Sequence, residues 1–212
     1  MVKPDVYLLV EGKDDQHVVW ALCGRHQLPD AFAVETPGGK ADGIDALLDG
    51  LSVRLRADNL KTLGIMVDAD QNLLARWQSV RDRLSASGYT GIPVQPVNGG
   101  WISGQTSLPR VGVWLMPDNS ATGMLEDFVK RLVPDNDVLL SYAEDVLDEI
   151  EQNDWRRYGN NDRPKSLIHT WLAWQEKPGT PMGLAITERA LRHDSPLAQA
   201  FVTWLKRLFE IP

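Results

Sequence analysis

The chain has one cysteine, Cys23, so it cannot form an internal disulfide or a zinc site built from several thiolates. It also lacks any apolar run approaching the ~20 residues needed to cross a bilayer. The run from Val6 to Val10 is too short for a signal-peptide core, and acidic residues flank it. The expectation is a cytoplasmic protein with no membrane partner. Net positive charge is missing as well, the formal charge being −7. A protein that holds duplex DNA by backbone neutralisation alone is basic. Tight, non-catalytic DNA binding is therefore disfavoured, whereas a metal-dependent enzyme is not, because a cation supplies positive charge at the reacting phosphate. His17, His26, His169 and His193 show no ligand spacing such as HExxH and read as structural.

What is present describes a folded protein: 43% hydrophobic and 24% charged residues over a length of 212. That length suits one domain, or a core with an appendage. Val6 to Val10 is a continuous apolar run, as in a strand buried on both faces. A helix is expected from about Asp14 to Arg25, with Val18, Val19, Leu22 and Cys23 on one face. Phe32 to Glu35 is a weaker strand, and Ile44, Leu47, Leu48 and Leu51 mark the next helix. Leu63 to Val67 reads as a buried strand, followed by a helix through Leu73, Leu74, Trp77, Val80 and Leu84. Gly91 to Pro109 is punctuated by glycine and proline and reads as a loop with short irregular strands. Val111 to Met116 is another strand, and a helix carries Met124, Leu125, Phe128 and Val129.

After Pro134 only helices are expected. Leu139, Tyr142, Val146, Leu147 and Ile150 mark one; Leu167, Ile168, Trp171 and Leu172 mark a second. The third opens on Ser195-Pro196 and carries Leu197, Phe201, Trp204, Leu205 and Leu208. The pattern is α/β: a mostly parallel sheet flanked by helices over residues 1–132, with an all-helical C-terminal extension over 133–212 packed on that core.

In such sheets ligands bind beyond the carboxyl ends of the strands. Acidic clusters stand at three of those ends: Glu11-Gly12, Asp68-Ala69-Asp70 and Pro117-Asp118-Asn119. Carboxylates that converge raise one another's pKa unless a cation sits among them. Hard oxygen donors favour Mg²⁺ or Mn²⁺. The plainer alternative is that Asp and Asn end strands because they form turns and cap helices.

Val10-Glu11-Gly12-Lys13-Asp14-Asp15 and Val67-Asp68-Ala69-Asp70 resemble the two motifs of the TOPRIM domain, a Rossmann-like fold. Topoisomerases, bacterial primases, RecR-type repair proteins and overcoming-lysogenization-defect (OLD) nucleases share that domain. Met116-Pro117-Asp118-Asn119, Gly123-Met124-Leu125-Glu126-Asp127-Phe128, and Lys165 with Trp171-Leu172-Ala173-Trp174 bring the chain closer to small stand-alone TOPRIM proteins related to the OLD nucleases. The TOPRIM resemblance covers roughly residues 4–132. It implies that Glu11 is a general acid/base or metal ligand and that Asp68 and Asp70 hold Mg²⁺. Glu126 and Asp127 become candidate ligands of a second ion, or residues that favour the positive end of their helix. Lys165 becomes a catalytic residue that stabilises charge at the phosphate, with a solvated helix-end lysine as the alternative.

Pro37-Gly38-Gly39-Lys40 offers N–H groups and an ammonium to a phosphate, although it is not a Walker A loop: Val34 and Ala41 replace the required glycine and hydroxyl residue. Lys40 is thus a candidate substrate contact, or part of a simple turn. Arg156 and Arg157, with Arg163, form the densest basic patch and are candidates for guiding a phosphodiester backbone. They could equally pair with Glu149, Glu151 and Asp154. Most of the eight tryptophans fit apolar stripes. Trp101 is the best placed to stack on a base.

The expected function is a Mg²⁺- or Mn²⁺-dependent nuclease acting on DNA or RNA. The primase and RecR zinc sites need more cysteines, and a topoisomerase needs a tyrosine-bearing module for which there is no room. The ATPase domain of OLD proteins is missing, so a nucleotide-driven partner would be a separate chain. A homodimer is left open. So are a non-catalytic TOPRIM subunit of a defence or toxin-type complex and phosphotransfer on a small nucleotide.

Overall fold

A computed structural model describes residues 5–37 and 43–212. Five strands form one sheet: β1 (Val6–Leu9), β2 (Ala33–Glu35), β3 (Thr62–Asp68), β4 (Trp101–Ile102) and β5 (Arg110–Met116), in the order β2-β1-β3-β5-β4. All pairs are parallel except β4 against β5. The helices are α1 (Lys13–Arg25), α2 (Ile44–Leu55), α3 (Leu73–Ala86), α4 (Leu125–Lys130), α5 (Val138–Gln152), α6 (Arg163–Ala173), α7 (Met182–Thr187) and α8 (Pro196–Phe209). None of them is long and apolar enough to cross a membrane.

The apolar runs of the central strands are explained by burial on both faces. Tyr7, Leu9, Leu63, Ile65, Val67, Val111, Val113 and Leu115 face one core, closed by Leu47 and Leu51 of α2 and by Trp77, Val80 and Leu84 of α3. Leu8, Met66, Trp114 and Met116 face the other, closed by residues of α1, α4, α6, α7 and α8. The helices after residue 133 therefore complete one of the two cores. Ser195 caps α8, its hydroxyl oxygen accepting from Ala198 N at 3.2 Å, with Pro196 in the first turn. Phe201 and Trp204 of this helix pack around Trp114 of β5, at centroid distances of 5.2 and 5.7 Å.

Two glycines admit α8. Gly64 and Gly112 are paired across β3 and β5. A Cβ on Gly112 would stand 2.8 Å from Leu208 Cδ1, and one on Gly64 would stand 3.1 Å from Leu208 Cδ2 and 2.5 Å from Leu8 Cδ1. The sheet thus has a window without side chains, and Leu208 fills it.

The stretch from Gly91 to Pro109, read as a loop with short irregular strands, contributes β4, the antiparallel edge strand. Two details differ from the sequence reading. Trp101, within β4, is buried and meets Trp77 edge to face at 6.2 Å, so it is a core residue and not a base-stacking platform. Leu74 and Tyr142 belong to the helices assigned to them but are exposed, because the buried stripes are narrower than the apolar spacing suggests.

Candidate active site

The carboxyl ends of β1 and β3 lie side by side, and the acidic residues there are tied to each other's backbone. Glu11 follows β1; its Oε1 accepts from the N–H of Asp68 at 2.7 Å. Asp68 ends β3, and its Oδ1 accepts from the N–H of Leu125 at 2.9 Å, at the start of α4. Asp15, in the first turn of α1, accepts from Gly12 N at 3.0 Å. Glu126 is buried in the first turn of α4. A cavity of about 340 Å³ opens onto this cluster, lined by Glu11, Asp14, Asp15, Asp68, Glu126 and Lys165 among others.

Burial and mutual repulsion act in the same direction on these groups. Burial raises the Asp68 carboxyl well above the usual carboxylate range, and the charges of Glu11, Asp15, Glu126 and Asp70 raise it further. Burial and the neighbouring Glu11 push Asp15 up to about 7, against the Gly12 N–H that favours its charged form. Glu11 is raised by burial, in part offset by the Asp68 N–H and the charges of Arg76 and Lys165. Glu126 is raised by burial, with its backbone hydrogen bond, Lys165 and His169 opposing. The cluster holds too little positive charge for its carboxylates.

Asp70 is held apart from that cavity. It adopts a left-handed conformation, φ 51°, and forms an isolated bridge with Gly123 through two 2.8 Å backbone hydrogen bonds. Gly123 has φ 135°, and a Cβ there would collide with the Asp127 carboxylate at 2.5 Å, so only glycine fits. The bridge ties the second motif to the loop that precedes α4. The Asp70 carboxylate pairs with Arg76, whose Nε also donates to Asp68 O at 2.9 Å.

The structure thus brings Glu11, Asp68, Glu126 and Lys165 to one cavity. Asp127 instead turns to Met124 N at 2.9 Å, capping its own helix, and lines a smaller neighbouring cavity with Glu126. Arg156 and Arg157 are exposed on the connection between α5 and α6. Lys40 lies outside the described residues. Asp118, at the third strand end, serves its own turn. Burial raises its carboxyl, but Arg131 and the N–H groups of Ser120 and Ala121 outweigh burial and hold it down to about 2. Asp15 and Arg76 escaped the sequence reading as site residues. Asp15 lay in the quoted first motif; Arg76 has no signal beyond its place one turn into α3.

Among the described residues, no three His, Cys, Asp or Glu side chains stand close enough to hold one ion together. The cause is visible in the hydrogen bonds: Glu11, Asp15, Asp68 and Asp127 each turn an oxygen to a backbone N–H, and Asp70 turns to Arg76. A larger cleft, about 520 Å³, lies between Gln175 and Ala190, where Lys177 and Glu188 neutralise each other. It offers no comparable concentration of unbalanced charge.

A protein-family model described as "Protein of unknown function (DUF3226)" matches residues 5–210. No curated protein and no solved structure matches the chain.

Proposed function

The chain belongs to the DUF3226 family, and we propose that it is a metal-dependent phosphodiester-processing enzyme of the TOPRIM type: a Mg²⁺- or Mn²⁺-dependent nuclease acting on DNA or RNA, related to the OLD nucleases. The observation that carries this reading is the set of carboxylates, Asp15 and Glu126 buried and Glu11 and Asp68 half-buried, gathered at adjacent strand ends with Lys165 beside them. Burying repelling carboxylates costs stability. A binding site for a cation and a phosphate gives that cost a use.

The donors fit a hard cation in chemistry: all are carboxylate oxygens, without thiol or imidazole among the cavity-lining residues. Mg²⁺ keeps several waters and is commonly held by one or two carboxylates plus substrate phosphate. The lack of a three-donor cage therefore does not conflict with it. Glu11 and Asp68 would hold the ion, with Glu126 a candidate ligand of a second; Asp70, turned to Arg76, and Asp127, turned to Met124 N, would join them only by leaving those partners. When bound, the ion supplies positive charge at the phosphodiester.

The remaining roles belong to the chain. Glu11, its carboxyl raised above the usual range by burial and lining the cavity, is the candidate for proton transfer. Its hydrogen bond to Asp68 N fixes one oxygen and directs the carboxyl group. Lys165 places an ammonium against charge developing on the phosphate. Arg76 braces the turn at Asp70.

The experiment is incubation with labelled single- and double-stranded DNA and RNA, with Mg²⁺, with Mn²⁺ and with chelator. Cleavage that needs the metal and disappears in Asp68→Asn is expected. Wild-type protein that cleaves none of the four substrates with either metal would overturn the nuclease assignment.

A further inference from the structure

We propose that the connection between α5 and α6 is a recognition element for single-stranded nucleic acid, in which Trp155 stacks on an unpaired base and Arg156 and Arg157 hold flanking phosphates. The inference rests on the phosphodiester reading of the carboxylate site and names the form of its substrate.

Trp155 is 62% exposed, more than Trp20 at 49% or Trp174 at 36%, in a chain that buries Trp77, Trp114, Trp171 and Trp204 almost completely. Its exposure is not that of a loose loop. The Trp155 N–H donates to Ile150 O at 2.9 Å, and the preceding Asp154 takes a left-handed φ of 58°. The chain therefore turns back on the end of α5 and presents the ring outward. The Arg156 guanidinium lies 5.9 Å from the centre of the Tyr158 ring, and the Tyr158 hydroxyl donates to Glu151 at 2.7 Å. Arg163 binds Glu151 as well, so the connection is anchored at one carboxylate. Neither Arg156 nor Arg157 makes an ion pair among the described residues, in a protein with a net charge of −7.

The element leads into the site. Arg163 and Pro164 of α6 line a cavity of about 160 Å³ that includes Glu126, and Glu126 also lines the larger cavity with Asp68 and Lys165. Arg163, paired with Asp148 and Glu151, thus stands in the chain between the exposed arginines and Lys165 at the site. An exposed aromatic face followed in the chain by two guanidinium groups suits a strand whose bases are open, since base–aromatic stacking needs the face that a duplex covers.

The test is fluorescence anisotropy of labelled oligothymidylate and oligouridylate in chelator, so that binding is read without cleavage. A duplex and polyglutamate serve as comparisons. Wild-type protein should prefer the single strands over both. Trp155→Ala should weaken single-strand binding by about 5- to 100-fold, and Trp155→Tyr should restore most of it. Arg156→Ala with Arg157→Ala should reduce the slope of log affinity against log salt by about 1.4, the value for two phosphates on a single strand. Equal affinity for duplex or polyglutamate, no wild-type binding, or an unchanged Trp155→Ala variant would each overturn the proposal. The metal reading is judged separately, by melting with and without Mn²⁺, so either can fail alone.

Discussion

The Glu11 carboxylate accepts the backbone N–H of Asp68 at 2.7 Å, and Asp68 in turn accepts the N–H of Leu125. Each acidic residue thus orients the next element, linking the ends of β1 and β3 to the start of α4. Charge repels these groups while their hydrogen bonds hold them in place.

Mn²⁺ or Mg²⁺ should raise the melting temperature of the wild-type protein. An ion that binds only the native state adds about 2.7 kcal/mol at a hundredfold excess over Kd, or ~5–10 °C for a chain of this size. Asp68→Asn should lose that response while being at least as stable without metal, because its amide oxygen still meets Leu125 N and the repulsion from Glu11, Asp15 and Glu126 is relieved. Thermal melts of both proteins decide the matter; an equal metal response in the two would remove Asp68 from the ligand set.

Without metal, stability should fall as pH rises through neutrality. Asp15 goes from 3.8 in the unfolded chain to about 7 in the fold, so between those values the native state holds the proton more tightly. Its contribution is complete below 3.8 and is lost as pH rises through about 7. Glu11, Asp68 and Glu126 act in the same direction. Asp118, held down to about 2, opposes them only below its ordinary 3.8. Asp15→Asn should flatten the slope in chemical denaturation across this range. A slope of the opposite sign would contradict the buried-carboxylate account.

Lys165→Ala should lower turnover far more than it lowers metal affinity, since a contact made to developing charge acts on kcat. The loss expected for one electrostatic stabiliser is about 10²–10³-fold. Initial rates at saturating substrate, beside a metal titration by melting, separate the two effects. An unchanged rate would make Lys165 a solvated partner of Asp162, from which it stands 4.0 Å.

Gly112→Ala should destabilise the protein by about 1–3 kcal/mol, the usual cost of overpacking. The new methyl would meet Leu208 at 2.8 Å. Combined with Leu208→Ala, the two losses should add to less than their sum, as expected of residues in contact. Denaturant midpoints of the four proteins complete the cycle, and strict additivity would mean that α8 does not occupy the window.

Where burial alone decides the outcome, the sequence was readable. The strands through Leu8, Ile65 and Val113 are apolar at every step because both faces are covered, and all three lie where continuous apolar runs placed them. The placement of Glu11 just after β1 and of Asp68 at the end of β3 follows from the same runs. Side-chain direction was not readable. Asp70 and Asp118 look like Asp68 in sequence, yet a left-handed φ at one and a turn at the other direct their carboxylates to arginines. Trp101 stands among glycines and prolines like a loop residue, but an antiparallel pairing too short to leave a periodic signal buries it. The short α7 was missed for a similar reason, its six residues being too few to show a stripe.

The insertion of Leu208 between Gly64 and Gly112 has a consequence for the order of synthesis. All five strands emerge from the ribosome before residues 196–209 do, so the part of one face that α8 covers stays open until then. During that interval Trp114 lacks Phe201 and Trp204, and the two bare glycine positions lack Leu208. Exposed apolar surface of this kind is what makes partly made chains aggregate. Chains stalled before α8 should therefore need chaperone protection that chains including it do not, and binding of a folding helper should peak just before Phe201 and Trp204 emerge.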